Sequence, residues 1–170
     1  PFHPAVTEGV EHQAKSMGYE TVFCHVDIND AQYQMQIGEI LSDTESAVVL
    51  LGTEMLEEDF EPFTHAKNKI ILLDGWSDRY FFDSVLISNT DSAAKAVEYL
   101  AGKGHKDIGY IQGDFRIQAF RYREIGFKRV MERYGLPIRP EYIATVGTRI
   151  ETAYEGMKRY LDETPVIPTA

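Results

Sequence analysis

The sequence predicts an α/β chain built on mostly parallel, doubly wound sheet, and three features carry that prediction. Stretches of helical period alternate with short apolar runs along the whole length. The runs are continuous rather than alternating, as in strands covered on both faces. Glycines punctuate the ends of the helical stretches.

Taken in order, residues 5–17 read as a helix ended by Gly18, and residues 19–26 as a strand. Asn29 is placed to cap a helix on which Tyr33, Ile37 and Leu41 repeat at four-residue spacing. Residues 47–51 and 69–74 read as buried strands. Between them Thr53 is placed to cap a helix with Leu56, Phe60 and Phe63 on one face. Residues 75–83 read as a loop and 84–88 as a short strand. Asn89 or Thr90 then caps a helix that presents Ala93, Ala94, Val97 and Leu100 on one side and stops at Gly102 and Gly104. Residues 107–112 are a strand. The helix from about Ala119 carries Phe127, Val130, Met131 and Tyr134. Residues 142–146 form another strand, and 150–161 a helix with Ile150, Met157 and Leu161 inward. Residues 165–170 look like the start of one more strand.

A parallel sheet needs a strand before its first helix, and the chain opens at Pro1-Phe2-His3-Pro4 without an initiator Met. It is therefore read as a fragment, truncated at both ends. The longest non-helical stretch ends near Ser88, which suggests two lobes, 1–87 and 88–170, with the first strand of the former and the end of the latter missing.

The chain has 170 residues, a formal net charge of −10 and one cysteine. The acidity argues against nucleic-acid binding by this segment itself, because phosphate contacts need Lys and Arg. The charge is uneven. Residues 1–100 hold 5 basic and 18 acidic side chains, and residues 101–170 hold 12 and 9, so partners of different character for the two lobes stand beside the plainer reading of two solvated surfaces. No apolar run approaches the roughly 18 residues of a membrane span, and no signal peptide is visible. Cys24 allows no intrachain disulfide, fits a reducing compartment, and reads as buried filler in an apolar strand. A cytoplasmic protein with no membrane contact is expected.

Enzyme signatures are missing. There is no dinucleotide glycine fingerprint or Walker loop, no nucleophile elbow, and no metal spacing among the five histidines. Gly102-Lys103-Gly104 lacks both the spacing and the hydroxyl residue of a phosphate loop. The acidic run Glu57-Glu58-Asp59 suits the favourable end of a helix dipole. No enzymatic activity, cofactor or metal is expected. His105, between a helix end and a strand, reads as a structural imidazole before a ligand contact.

Candidate binding residues come from position. In open α/β sheets ligands bind outside the carboxyl ends of the strands. Asp74 ends a buried strand, where it is either an acceptor for sugar hydroxyls or a turn former before Gly75. Arg121 and Arg123 open the helix after the 107–112 strand. Residues two apart do not share a helix face, so at most one is expected to point into the crevice, and Arg123, three before a close-packing Gly126, is preferred. Phe2 and Trp76 either stack on a sugar ring or pack, with Phe2 favoured for its place in the loop before the first helix.

The motifs, in order, resemble the effector domain of the LacI/GalR family of bacterial transcription regulators over essentially the whole chain. Gly104-His105-Lys106-Asp107-Ile108-Gly109-Tyr110-Ile111-Gln112-Gly113 and Arg123-Glu124-Ile125-Gly126-Phe127 are the most specific matches. Pro1-Phe2-His3, Ile71-Leu72-Leu73-Asp74, the stretch from Val85 to Asn89 and Pro168-Thr169-Ala170 follow the same pattern. The resemblance implies a periplasmic-binding-protein-like fold of two three-layer αβα lobes with a small-molecule effector, a sugar or derivative, between them. It implies ligand contacts at Phe2, His3, Gly52, Thr53, Asp74, Arg121 and Arg123. It also implies lobe movement about a hinge near Ser88, a homodimer, and operator DNA bound through a domain outside this segment. Ser88 stands where the family carries Asp, and His3 where it carries an aromatic residue. The alternative is a periplasmic sugar-binding protein of an ABC transporter, and a doubly wound enzyme is the third reading.

Overall fold

The computed structural model describes residues 2–27, 29–115 and 117–170, and the side chains of Phe2 and His3 lie outside that description. It divides into two compact units, residues 1–43 and 44–170, each considered by itself.

The first unit contains α1 (Phe2–Ser16) and α2 (Tyr33–Ser42). Gly18 follows α1 with φ +83°, and the amide of Tyr19 donates back to Ala14 O, the expected glycine-ended helix. On α2 the four-residue repeat is the buried one: Tyr33 and Ile37 are buried and Leu41 is half-buried. Its N-cap is Gln32 rather than Asn29; Asp30 Oδ1 accepts the Gln32 amide at 2.8 Å. Residues 19–26 do not form the expected strand. None of the described residues offers residues 20–26 a hydrogen-bonded neighbour, and Val22 is 86% exposed, so the apolar pattern there finds no ladder. Cys24 is exposed, not buried filler.

The second unit holds two parallel sheets. In the first, β1 (Val48–Leu51), β2 (Ile70–Leu73) and β3 (Asp83–Val85) lie in that order, with Leu51 opposite Leu73 and Leu73 opposite Val85. Beneath it, a 3₁₀ turn at Glu57–Phe63 buries Phe60 and Phe63. The turn is capped by Asp59, whose carboxylate accepts the Leu56 amide at 2.8 Å, so Thr53 is free of the capping role expected of it. The second sheet pairs β4 (Tyr110–Gly113) with β5 (Ile143–Val146). α3 (Asn89–Gly102) and α4 (Gln118–Arg133) pack face to face beside it. Their shared core is Ala94, Val97, Ile108, Phe127, Val130 and Met131, with Tyr110 stacked 5.0 Å from Phe127. Ser88, not Asn89 or Thr90, occupies the N-cap of α3, and its hydroxyl donates to Asp91 Oδ2 at 3.1 Å.

α5 (Ile150–Glu163) departs from its predicted face. Ala153, Gly156, Met157 and Tyr160 are half-buried, whereas Ile150 is 85% exposed and Leu161 is also exposed. Gly156 explains the rotation: a β-carbon there would stand 3.1 Å from Val146 Cβ, so the smallest residue of the helix seats it on β5.

Residues 165–170 do not form the expected strand; a bend at 165–166 leads into a tail hydrogen-bonded to the approach to β4. The Thr169 amide donates to Asp107 O and the Gly109 amide to Ala170 O. His105 Nδ1 is 3.1 Å from Thr169 Oγ1, which gives the imidazole its structural task. Gly109 leaves room for Pro168, whose ring would be 2.9 Å from a β-carbon at that position.

Candidate functional site

The register of the first sheet brings three chain turns side by side. Gly52, Asp74 and Leu86 each follow the last residue of β1, β2 and β3, and the ladder runs one step further: the Gly52 amide donates to Leu73 O and the Asp74 amide to Val85 O, both at 2.9 Å. Gly52 and Gly75 cross there. A β-carbon on Gly75 would come within 2.8 Å of Gly52 Cα, so Gly75 has no room for a side chain, and one on Gly52 would press Gly75 Cα at 3.1 Å. Asp74, the residue that leads into the crossing, takes φ +53°, a left-handed conformation that Asp accepts better than most residues. Its Oδ2 accepts the Thr53 hydroxyl at 3.0 Å. The predicted residues Gly52, Thr53 and Asp74 are thus brought together.

A cleft of about 400 Å³ opens at this end of the sheet. Asp74, Gly75, Trp76 and Asp78 line it from the loop after β2. Leu86 to Thr90 line it from the crossover into α3, and Gln118, Ala119 and Tyr122 from the first turns of α4. The two sides are clasped. The Gln118 carboxamide oxygen accepts the Trp76 amide at 3.2 Å, and its NH₂ donates to Trp76 O at 2.6 Å. The Trp76 indole donates to Asp78 Oδ1 at 2.9 Å. Glu57 braces the same loop, taking the Ser77 hydroxyl on Oε2 and the Asp78 amide on Oε1.

Neither predicted arginine is among the residues lining the cleft. Arg121 and Arg123 are both exposed, and Tyr122 between them faces the cleft. Arg123 stands one residue back: its Nε donates to Asn89 Oδ1 at 2.8 Å, with the guanidinium carbon 6.0 Å from the Phe120 ring. Six residues further along α4, Arg129 donates to Asp91 Oδ1 at 3.0 Å, and with Ser88 it holds that carboxyl below the usual range. Burial, reinforced by Asp78, raises the pKa of the Tyr122 phenol, opposed by Arg121, so Tyr122 is a protonated donor at neutral pH. Phe2 and His3 lie outside the described side chains.

Sequence reasoning passed over Asp78, Gln118 and Tyr122. The helix period held the signal: Gln118 and Tyr122 are four apart and therefore share a face. Thr53→Val keeps the shape and removes the hydroxyl from Asp74. A stability loss of about 1 kcal/mol is expected by urea unfolding, at the low side for a bond to a charged group because the pair is half exposed. A loss below about 0.3 kcal/mol would show that Asp74 holds its conformation without Thr53.

The family model described as periplasmic binding proteins and sugar binding domain of LacI family matches residues 1–170. Among curated proteins the chain is 24% identical over 170 residues to the HTH-type transcriptional repressor PurR of Actinobacillus pleuropneumoniae. It is 26% identical over 170 residues to the HTH-type transcriptional repressor CytR of Escherichia coli. Both alignments take in 100% of this chain and 50% of the relative, so the chain spans about half the length of these proteins. Among solved structures, the transcription regulator CcpA of Lactococcus lactis superposes with a TM-score of 0.76 at 19% identity, over 97% of this chain and 60% of that one. A LacI family transcriptional regulator from Mycobacterium smegmatis gives 0.71 at 17%, over 95% and 59%. These likenesses establish the shared fold.

Proposed function

The chain belongs to the family of periplasmic binding proteins and LacI-type sugar-binding domains, and we propose that it is the effector-binding domain of a DNA-binding transcriptional regulator. The effector is a small molecule, a sugar or a related compound, and operator DNA is read by a part of the protein outside this segment. The cleft at the carboxyl ends of β1 to β3 supports this reading most directly, because that end of a parallel sheet is where ligands are received. The repressor names of the relatives favour a regulator over a transport protein. The net charge of −10 accords with DNA contacts made elsewhere.

Lobes 1–87 and 88–170 reorient about the stretch near Ser88 when effector binds, and in a homodimer that motion changes the separation of two DNA-reading heads. The effector must bind the two lobe arrangements unequally for this to work. Gly52, Thr53 and Asp74 belong to the proposed contact set. Arg123 acts through Asn89, which it holds at the cleft rim, and Arg121 flanks the same turn. Phe2 and His3 enter through the family resemblance. No chemistry is assigned to the cleft beyond binding.

The test is a thermal-shift screen of the full-length protein against sugars, nucleosides and their derivatives. Any ligand at 100 times its Kd adds about 2.7 kcal/mol of stability. A hit that also changes operator affinity supports the reading; a screen without a hit counts against it. With a hit in hand, Arg123→Ala is expected to weaken binding by at most about 1 kcal/mol, because it removes the bond that holds Asn89 at the cleft rim rather than a contact with the ligand. An unchanged affinity would remove Arg123 from the site.

A further inference from the structure

The crossover from Leu86 to Asn89 joins the two proposed lobes through the chain itself. Gln118 and Trp76, 42 residues apart in sequence, join them a second time. We propose that this pair is a latch: Gln118 is a positioning residue that ties residues 44–87 to residues 88–170 at the cleft, and the lobes reorient only when its bonds break. The proposal rests on the reading of two lobes that move about the stretch near Ser88.

The bond pair is a matched one. A carboxamide carries an acceptor and a donor side by side, as a peptide unit does. Gln118 accepts the Trp76 amide on its oxygen at 3.2 Å and donates its NH₂ to the Trp76 carbonyl oxygen at 2.6 Å. A single side chain thus satisfies both backbone groups of one residue. Reversing the carboxamide would set acceptor against acceptor, and a carboxylate could serve only one of the two groups. Both bonds are made between protein groups, so they do not depend on an effector.

Each end of the latch is anchored in a rigid element. Trp76 follows Gly75, which is packed against Gly52 at the end of the first sheet. The loop beyond it is fixed by Glu57, which accepts the Ser77 hydroxyl at 2.9 Å and the Asp78 amide at 2.7 Å. The Ser77 oxygen in turn accepts the Tyr80 amide at 2.9 Å. Gln118 is the first residue of α4, which shares the core of Phe127 and Val130 with α3. Between two stiff anchors the bonds are lost together, so the latch is a two-state element of the kind a switch requires. It weights the latched arrangement against the other, and so sets the difference in affinity that an effector needs to shift the lobes.

The experiment is hydrogen–deuterium exchange of the full-length protein, with no ligand added, comparing wild type with Gln118→Ala and Gln118→Glu. Alanine removes both bonds; glutamate keeps the length of the side chain but sets a charge against the Trp76 carbonyl. Two variants are used so that one misfolded chain does not end the test. Exchange is expected to quicken about tenfold at residues 75–79, where the latch bonds are lost, and also at residues 86–90 of the crossover, which a merely local prop for Trp76 would leave alone. Residues 94–100 and 124–131 of the α3–α4 layer should exchange as in wild type. No change at 75–79 or at 86–90 overturns the latch and leaves the reading of two moving lobes standing. Faster exchange at 75–79 alone counts against movement of the lobes near Ser88, and the proposal falls with that reading. Faster exchange throughout, the α3–α4 layer included, would make Gln118 a general support of the fold and overturns the latch as well. Each outcome is read without an effector, so it is independent of the ligand screen that tests the cleft.

Discussion

Gly126→Ala will cost the protein about 2–4 kcal/mol of stability, the upper part of the range for overpacked cores. The reason is geometric. A β-carbon at residue 126 would lie 2.2 Å from the carbonyl oxygen of Thr90 and 3.1 Å from Ala93 Cβ. The obstacle is backbone, so no side-chain rotation relieves it, and α3 and α4 must separate. Those two helices carry the core of Ala94, Val97, Phe127, Val130 and Met131, so the separation is felt throughout that layer. Gly38→Ala is the matched control. That glycine also lies within a helix, but nothing approaches its missing β-carbon. There the gain in helix propensity should raise stability by about 0.5–1 kcal/mol. Urea unfolding of both variants decides the matter; losses of similar size would mean that the α3–α4 approach is not what Gly126 serves.

Phe60→Ala will cost about 3–5 kcal/mol, the usual range for truncating a buried aromatic residue. Phe60 is fully buried beneath the first sheet, 6.1 Å from the Phe82 ring. One edge of the ring lies 3.6 Å from where a β-carbon of Gly52 would stand, so the side chain also floors the Gly52–Gly75 crossing. The cavity left behind would open under the cleft. Ligand affinity should therefore fall together with stability, whereas Met131→Ala, in the α3–α4 core, should lower stability by about 2–5 kcal/mol with a smaller effect on affinity. Equal effects of the two variants on affinity would contradict the role given to Phe60.

The parts of this molecule that follow from local rules were legible in its sequence. Continuous apolar runs marked the places of β1 and β2, but the burial expected of both holds only in part: β2 buries Ile70 and Leu72, whereas Val49 of β1 is exposed and its other residues are half-buried. Gly104 and Gly126 were legible because a helix end and a close helix crossing each require a missing side chain. Asp74 was legible as the polar end of a buried strand. What the sequence hid depends on three-dimensional partners. Residues 19–26 have the apolar content of a strand, but a strand exists only where a neighbour completes its ladder. On α5 Met157 was placed on the packed side as expected, but Ile150 and Leu161 were not, because Gly156, the residue that seats the helix against Val146, carries no hydrophobic signal. At the site, charge drew attention to Arg121 and Arg123, while the residues lining the cleft are Gln118 and Tyr122. Their importance rests on bonds to Trp76 and proximity to Asp78, which lie some 40 residues away along the chain.

Trp76 offers the most direct test of the central claim, that the effector is received in the cleft at the carboxyl ends of the first sheet. It lines that cleft and is the one tryptophan among these 170 residues. The measurement is a fluorescence titration of the full-length protein with a ligand whose affinity is already fixed by calorimetry, run beside Trp76→Phe as the reference. A saturable change in emission that follows the calorimetric Kd and vanishes in Trp76→Phe is the predicted result. Binding by calorimetry with no Trp76-dependent change in emission would place the effector elsewhere and contradict the claim.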